Sequence, residues 1–165
     1  MFALPPLVQR PPELMDDPSL DAGQHEEAIR ALARIHVVSR TASQIASHLV
    51  SLSQKVSPSV AGPLRIIDIA CGGGELTSAV AQRVARTVPH RVEFIGLDIS
   101  ERVIGWATQK HTLANEHLDV SFQTCDVLNG ALPSCTLAFH SLFLHHLDDG
   151  QAVTQLQAMA AASQI

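Results

Sequence analysis

The sequence predicts an α/β fold in which helices cover both faces of a parallel sheet. From residue 64 onward, apolar runs of strand length alternate with helical patterns of about 15 residues, as crossover connections between parallel strands require. The first run, residues 64–70, is rich in β-branched residues and leads into three consecutive glycines, Gly72–Gly74. A continuous apolar run indicates a strand buried on both faces, and glycines permit a tight turn that brings bare main chain close to a ligand.

The other elements follow from periodicity and from turn residues. Two helices with a break near residues 39–41 are predicted between 24 and 56, because apolar residues recur there at spacings of three and four. The segment 57–63 contains two prolines and a glycine and ends them. The remaining predicted elements are a helix over 75–88, a strand over 91–97, a helix over 101–117, strands over 120–124 and 137–144, and a helix through 162 that begins at a capping box of Asp148 and Gln151.

These elements divide the chain into three parts. Residues 1–23 contain five prolines and are expected to form an extended arm. Residues 24–63 form a helical extension with a linker, and residues 64–165 form the domain that holds the sheet.

Composition narrows the class of function. A formal net charge of −5 without a Lys/Arg-rich run argues against nucleic acid or an anionic membrane as the main partner. No stretch approaches the about 20 apolar residues of a membrane span, and the first residues lack the features of a secretion signal. The three cysteines form no CxxC pair, which indicates neither a disulfide framework nor a zinc site. We expect a cytoplasmic protein that binds a small neutral or cationic ligand and no metal.

The residues that follow the glycines narrow the class of ligand further. A phosphate-binding Walker loop requires Gly-Lys-Ser/Thr, but Glu75 follows Gly74. A dinucleotide fingerprint that begins at Gly72 requires Gly or Ala where Thr77 stands. Glu75 would also repel a pyrophosphate at the N-terminus of the helix. A ligand with a ribose but no phosphate therefore fits better.

Acids at the ends of the next two strands are candidates to bind such a ligand. Asp98 stands 24 residues after Gly74, near the offset of about 20 residues at which an acid accepts hydrogen bonds from ribose hydroxyls. The alternative for Asp98 is an N-cap or a loop acid, and Ser100 competes for the cap. Asp126 could contact an adenine amino group and Val127 could pack on the ring, although a surface-loop role for Asp126 is nearly as consistent.

The order of these motifs resembles that of the class I S-adenosylmethionine-dependent methyltransferases. Residues 68–74 are similar to their first motif, with Ala70 where the first glycine is usual. Residues 96–100 and 125–127 resemble their acidic motifs after strands two and three. Residues 141–147 resemble the fourth-strand motif of the small-molecule branch, so the matches extend in order from about residue 64 to residue 162.

This resemblance implies a three-layer Rossmann-like fold with S-adenosylmethionine as the cofactor. Its residue roles are as follows: Ala70, Gly72 and Gly74 line the methionine end, Asp68 helps to position the amino group, Asp98 holds the ribose, Asp126 and Val127 hold the adenine, and Cys71, Ile99 and Leu142 complete the cofactor-binding set. Because a sulfonium is already activated, such a protein mainly aligns a nucleophile with the methyl group.

Two histidines are candidates for a general base. His145 and His146 follow the fourth strand, and an unperturbed imidazole titrates near pH ~6.5. The alternative is that the pair only shapes the turn. In such enzymes the helices over 24–56 would lie over the acceptor pocket as a lid; a plain structural appendage is the other interpretation.

The chain departs from the family pattern in two places. Residues 135–137 lack the acid that usually begins the fourth strand, and nothing follows residue 165 to form the three further strands of the family sheet. We therefore expect a C-terminally incomplete sheet whose fourth strand is an exposed edge. The favoured function is methyl transfer to a small organic acceptor. The alternatives are a non-catalytic or truncated cofactor-binding fragment that acts through association, for example as a homodimer, and a nicotinamide-dependent oxidoreductase, which Glu75 and Thr77 disfavour.

Overall fold

The computed structural model describes residues 40–55 and 62–164. The predicted arm over 1–23 and the first predicted helix lie outside these residues. The described elements, in order, are α1 (Thr41–Ser53), β1 (Leu64–Ile69), α2 (Glu75–Ala85), β2 (Val92–Asp98), α3 (Glu101–His111), β3 (Leu113–Ala114), β4 (Leu118–Thr124), β5 (Leu137–His140), a 3-10 turn (Leu144–His146) and α4 (Asp149–Ala162).

The strands form one sheet in the order β3-β4-β2-β1-β5. Every pair is parallel except β3 with β4, which is antiparallel. Ile69 of β1 lies opposite Leu97 of β2 and His140 of β5, so these three strands end at the same edge. The parallel α/β sheet predicted from the sequence is confirmed, and β5 lies at the edge of the sheet as expected.

Alternate residues of β1 point into two separate cores. Ile66 belongs to the core that α1, α2 and α3 cover, whereas Ile67 and Ile69 belong to a smaller core on the opposite face, where Met159 and Ala162 of α4 pack. Burying an aliphatic side chain contributes roughly 1.5–3 kcal/mol, so both layers of helices stabilise the sheet. The structure therefore has the predicted three layers.

Helix α1 follows the predicted break near residues 39–41. Arg40 precedes it with a left-handed backbone (φ +55°), and Ala42, Ala46 and Leu49 are buried in the larger core. Ser43 of α1 accepts a hydrogen bond from Arg83 of α2 at 3.2 Å. This helix is thus part of the core of the sheet domain, which favours a structural role for the described part of the 24–63 segment.

The last helix begins and ends where the sequence predicts. The main-chain N–H of Gln151 donates to Asp148 Oδ1 at 2.8 Å, and the N–H of Asp148 donates to Gln151 Oε1 at 3.0 Å. This reciprocal pair is the predicted capping box.

Several predicted boundaries were wrong. Helix α3 ends at His111, six residues before the predicted end, because Thr112 has an extended backbone and β3 then pairs with β4. In the turn between these two strands, Asn115 Oδ1 accepts hydrogen bonds from two main-chain N–H groups. The strand predicted over 137–144 ends at His140, since Leu142 has a left-handed backbone and a 3-10 turn follows. Helix α2 ends at residue 85, β2 begins at 92 rather than 91, and β4 begins at 118 rather than 120.

Candidate cofactor site

The turn between β1 and α2 is shaped by three alternating residues with left-handed backbones. Ala70, Gly72 and Gly74 have φ angles of +56°, +54° and +82°. The N–H of Cys71 donates to Leu97 O at 2.9 Å, which ties the turn to the end of β2. A left-handed backbone costs a residue with a Cβ about 1–2 kcal/mol, so Ala70 holds strain that glycine would relieve.

The two glycines of this turn serve different purposes. A Cβ on Gly74 would lie 2.6 Å from Phe122 Cε1 and 3.2 Å from Ala107 Cβ, so Gly74 permits close packing of the turn against β4 and α3. A Cβ on Gly72 would meet no atom of the chain within 4 Å. Gly72 therefore leaves open space beside bare main chain, which is the space that a ligand needs.

Asp98 closes the other side of this space. Its Oδ2 accepts from the N–H of Gly72 and its Oδ1 accepts from the N–H of Ser100, both at 3.0 Å. Ser100 is the N-cap of α3 and accepts from the N–H of Val103, so the N-cap alternative for Asp98 was wrong. A carboxylate oxygen has more than one acceptor position, and each oxygen of half-buried Asp98 keeps one for a ligand hydroxyl.

Asp68 lies buried beneath the turn. Thr77 Oγ1 donates to Asp68 Oδ2 at 2.6 Å, and both residues are almost completely inaccessible. Burial raises the pKa of Asp68 to about 7, the Thr77 hydrogen bond opposes that rise, and the negative charge of Asp98 adds to it. Sequence reasoning considered Thr77 only as a mismatch to a nucleotide fingerprint. The sequence did contain a signal for this contact, namely an acid inside an apolar strand. A buried carboxyl group needs a hydrogen-bond donor.

Cys71 stays protonated in this turn. Burial raises the pKa of its thiol, and the nearby carboxylates of Asp68 and Asp98 raise it further. Its Sγ donates to the carbonyl of Gly72 at 3.6 Å. The thiol therefore shapes the turn and is not a nucleophile, because only the thiolate reacts readily.

Asp126 and Val127 follow β4 at the same edge of the sheet. Asp126 accepts from the N–H groups of Leu128 and Asn129 and from the Asn129 side chain, at 2.9–3.2 Å, and these hydrogen bonds lower its pKa. Val127 is buried in the smaller core. Asp126 Oδ1 thus accepts two hydrogen bonds within its own loop and Oδ2 accepts one, so Oδ2 keeps an acceptor position, and the adenine and surface-loop roles both stay predictions.

Two large apolar side chains among the predicted cofactor-binding residues are exposed at this edge. Ile99 follows β2 and Leu142 follows β5, and each is more than half exposed. Their roles in binding the cofactor stay predictions, because single exposed apolar residues are common on protein surfaces.

The two histidines predicted as candidates for a general base lie on the 3-10 turn after β5. The rings of His145 and His146 stand 4.1 Å apart between centroids, tilted by 37°, and His146 is the more exposed of the two. A third histidine, His140, was not singled out from the sequence. It ends β5 opposite Ile69, its Nδ1 is buried with no partner in the part of the chain that the structure describes, and burial lowers its pKa.

Within residues 40–55 and 62–164, no group of three or more His, Cys, Asp or Glu side chains is placed to bind a metal ion. No helix of that part of the chain is both long and apolar enough to cross a membrane.

Together, the parallel sheet and the glycine turn beside a strand-end acid define a Rossmann-like domain with a candidate ligand site at the ends of its strands. The profile of the family described as "Methyltransferase domain" matches residues 66–164, well over half of the chain. The chain belongs to this methyltransferase domain family.

Solved structures support the same fold at low sequence identity. Magnesium protoporphyrin IX methyltransferase from Synechocystis, solved with SAM, is 19% identical with a TM-score of 0.57, and the match covers 92% of this chain and 64% of that one. Human N-acetylserotonin methyltransferase with SAM is 16% identical with a TM-score of 0.58, covering 86% and 35%. The plantazolicin methyltransferase BpumL, solved with a desmethyl plantazolicin analogue and SAH, is 15% identical with a TM-score of 0.56, covering 86% and 51%.

The chain spans between about a third and two thirds of the length of these three proteins. No match was found among curated protein sequences.

Proposed function

We propose that this chain binds S-adenosylmethionine at the β1–α2 turn and transfers its methyl group to a small organic acceptor. The observation that carries the proposal is the alternating left-handed turn, in which Gly72 faces open space and donates its main-chain N–H to Asp98. Membership of the methyltransferase domain family and the SAM and SAH bound to its structural relatives support it.

The charges around the turn suit this ligand better than a dinucleotide. Asp98 and Glu75 are acidic, and Glu75 lies in the first turn of α2, where a pyrophosphate would otherwise bind. S-adenosylmethionine carries a sulfonium and an ammonium, both cationic, and no phosphate. Asp98 would accept hydrogen bonds from its ribose hydroxyls, and Ile99 would cover an apolar part of the bound molecule.

The chemistry divides between the cofactor and the chain. When bound, the cofactor supplies an electrophilic methyl group on sulfur. The chain holds the acceptor in line with that group and excludes water, which is where most of the rate gain of such a reaction originates. A neutral imidazole of His145 or His146 would take the proton that an acceptor hydroxyl loses as its oxygen is methylated.

Calorimetric titration of the 165-residue chain with SAH tests the cofactor assignment. We expect saturable binding that Gly72→Val and Asp98→Asn each weaken by about tenfold or more, since the first fills the open space and the second removes a charged acceptor. Gly105→Ala and Asp119→Asn are matched controls, because Gly105 has open space on α3 and Asp119 pairs with Arg91 away from the turn. Absence of binding to folded protein would contradict the proposal, and tighter binding of NADH than of SAH would favour an oxidoreductase instead.

The alternative of a cofactor-binding fragment without catalysis is favoured by one observation. The chain covers less than two thirds of the matched structures' own length. Saturable SAH binding combined with no transfer of labelled methyl to a panel of phenols, amines and carboxylates would support this alternative. Transfer to any member of the panel would exclude it.

The proposed compartment is the cytoplasm. Cys71, Cys125 and Cys135 are all free thiols, as a reducing compartment keeps them.

A further inference from the structure

Buried polar atoms without partners are concentrated in one layer of the molecule. In the part of the chain that the structure describes, four side-chain atoms are buried with no hydrogen-bond partner, and three of them are His140 Nδ1 and both amide atoms of Gln155. Native proteins contain few such atoms, because an unpaired buried polar group is costly. Since these atoms are already inaccessible, their partners must come from groups that lie beside them.

His140 and Gln155 face the same layer from opposite sides. Ala138 of β5 packs in the smaller core, and His140, two residues later, shares its face of the sheet. Met159 of α4 packs in the same core, and the fully buried Gln155 precedes it by one helical turn. The ring of His140 also meets Phe143 of that core edge-on, with centroids 6.3 Å apart. Both polar side chains therefore lie between the sheet and α4.

The two residues also lie at similar heights along β5. Ser163, directly after α4, forms a bridge with Cys135 at the start of β5, so α4 returns along this strand in the opposite direction. From that bridge, Gln155 lies about 12 Å away along the helix axis and His140 about 17 Å away along the strand. Helix side chains lean toward the N-terminus of the helix, which here is toward His140. The Gln155 amide is therefore directed toward the His140 ring.

The second ring nitrogen of His140 lies at the strand ends. His140 is the last residue of β5 and lies opposite Ile69, which directly precedes Ala70 of the glycine turn. Nδ1 is the inaccessible ring nitrogen, while the residue as a whole keeps partial exposure. Nε2 is therefore the nitrogen that a ligand at the strand ends can reach. Burial lowers the pKa of His140, so the ring is neutral at pH 7.

We propose that Gln155 Oε1 accepts a hydrogen bond from His140 Nδ1, directly or through one water molecule, which leaves an unprotonated Nε2 facing the proposed cofactor site. In a neutral imidazole one nitrogen donates and the other accepts, so the partner of one nitrogen fixes the tautomer. Gln155 is thus a positioning residue, and His140 is a further proton acceptor beside the two histidines on the 3-10 turn.

The role of His140 in methyl transfer rests on the proposed function, whereas its pairing with Gln155 does not. As the oxygen of an acceptor hydroxyl bonds to the methyl carbon, the carbon–sulfur bond of the cofactor breaks and the hydroxyl proton passes to Nε2. The imidazolium that forms keeps its Nδ1 proton, which Gln155 Oε1 continues to accept.

A double-mutant cycle tests the pairing without any ligand. Gln155→Leu and His140→Phe each remove polar atoms while they keep a side chain of similar size. We expect the double variant to melt about 2 °C or more above the temperature that the two single shifts add up to, because it leaves neither partner unpaired. Gln157→Leu is the matched control, since Gln157 is exposed on the same helix and its shift should add to that of His140→Phe. Additive shifts for Gln155→Leu and His140→Phe would overturn the pairing.

The tautomer of His140 supplies a spectroscopic measurement. NMR correlation of ring nitrogens with carbon-bound ring protons at pH 8 distinguishes the two neutral tautomers, and the signals that His140→Phe removes are those of His140. We expect the proton on Nδ1 in the unmodified protein, a displacement toward Nε2 in Gln155→Leu, and no displacement in Gln157→Leu. A proton on Nε2 in the unmodified protein, or a tautomer insensitive to Gln155→Leu, would overturn the proposal.

Titration with SAH under the same NMR conditions tests whether His140 faces the cofactor site. Saturating SAH should shift the ring signals of His140 and leave those of His117 unchanged, because His117 Nε2 lies 2.8 Å from Ala85 O at the opposite end of the strands. Calorimetric binding of SAH without a shift at His140 would overturn this part of the proposal. Absence of SAH binding would instead contradict the proposed function, while the double-mutant cycle and the tautomer decide the pairing independently.

Discussion

The two halves of the candidate site are held in different ways. At the ends of β1 and β2, Gly72, Asp98 and the pair Asp68–Thr77 are joined by hydrogen bonds between different strands and helices. At the ends of β4 and β5, Asp126 bonds only within its own loop and the histidines stand on a 3-10 turn. The half at the ends of the central strands β1 and β2 is therefore held in place before any ligand binds, whereas the half at the ends of the flanking strands β4 and β5, where Asp126 is predicted to contact the adenine and the histidines to meet the acceptor, depends on local turns. Preorganisation lowers the cost of binding in the first half only.

The largest loss of stability should come from adding a side chain at Gly74, where the glycine turn packs against β4 and α3. Gly74→Ala places a Cβ 2.6 Å from Phe122 in a left-handed backbone, and we expect a loss of about 2–5 kcal/mol in the free energy of unfolding. Urea denaturation measures this loss. Gly105→Ala on α3 should be neutral or stabilising by up to about 1 kcal/mol, since a helical glycine is replaced in open space. Equal effects of the two substitutions would show that the turn is not tightly packed.

A smaller effect should come from Asp68, and it should depend on pH. The pKa of Asp68 is raised from 3.8 to about 7 in the folded chain, so the folded state binds more protons than the unfolded state between these values. Its contribution to stability is then complete below pH 3.8 and is lost as the pH rises to about 7. Asp68→Asn removes this dependence and should stabilise the protein at pH 8 by about 1–3 kcal/mol, while weakening the proposed cofactor binding.

Thermal unfolding of both forms at pH 5 and pH 8 checks this second prediction. The melting temperature of the unmodified protein should fall over this interval more than that of Asp68→Asn. An unchanged difference between the two forms at the two pH values would contradict a raised pKa.

The smallest predicted effect is a difference in stability between variants of the two strand-end acids, Asp98 and Asp126. Asp98→Ala frees the N–H groups of Gly72 and Ser100 and should cost about 0.5–1.5 kcal/mol, because these part-buried donors belong to different parts of the chain. Asp126→Ala should cost less, since its hydrogen bonds connect residues that are already neighbours in one exposed loop. Chemical denaturation of both variants measures the difference. A larger loss for Asp126→Ala would reverse the comparison between the two halves.

Features that depend on neighbouring residues in the chain were predicted correctly from the sequence. The apolar run before Gly72, the acid 24 residues after Gly74 and the capping box at Asp148 predict a strand, a strand end and a helix start, and each is confirmed. The strand-end acids also lie at one edge of the sheet, as the sequence predicts, because parallel strands of equal register end together. The extent of α3 was misjudged because periodicity continues past His111, where pairing of β3 with β4 outweighs helix formation.

The sequence by itself determined the fold class, the position of the turn and the acids beside it, because these depend on residue type and spacing. Only the tertiary structure decided which groups each acid contacts. It placed Asp98 beside Gly72, buried Asp68 against Thr77, and occupied Asp126 within its loop. Those outcomes depend on hydrogen bonds between residues of different elements and on burial in a packed core, neither of which a linear pattern contains.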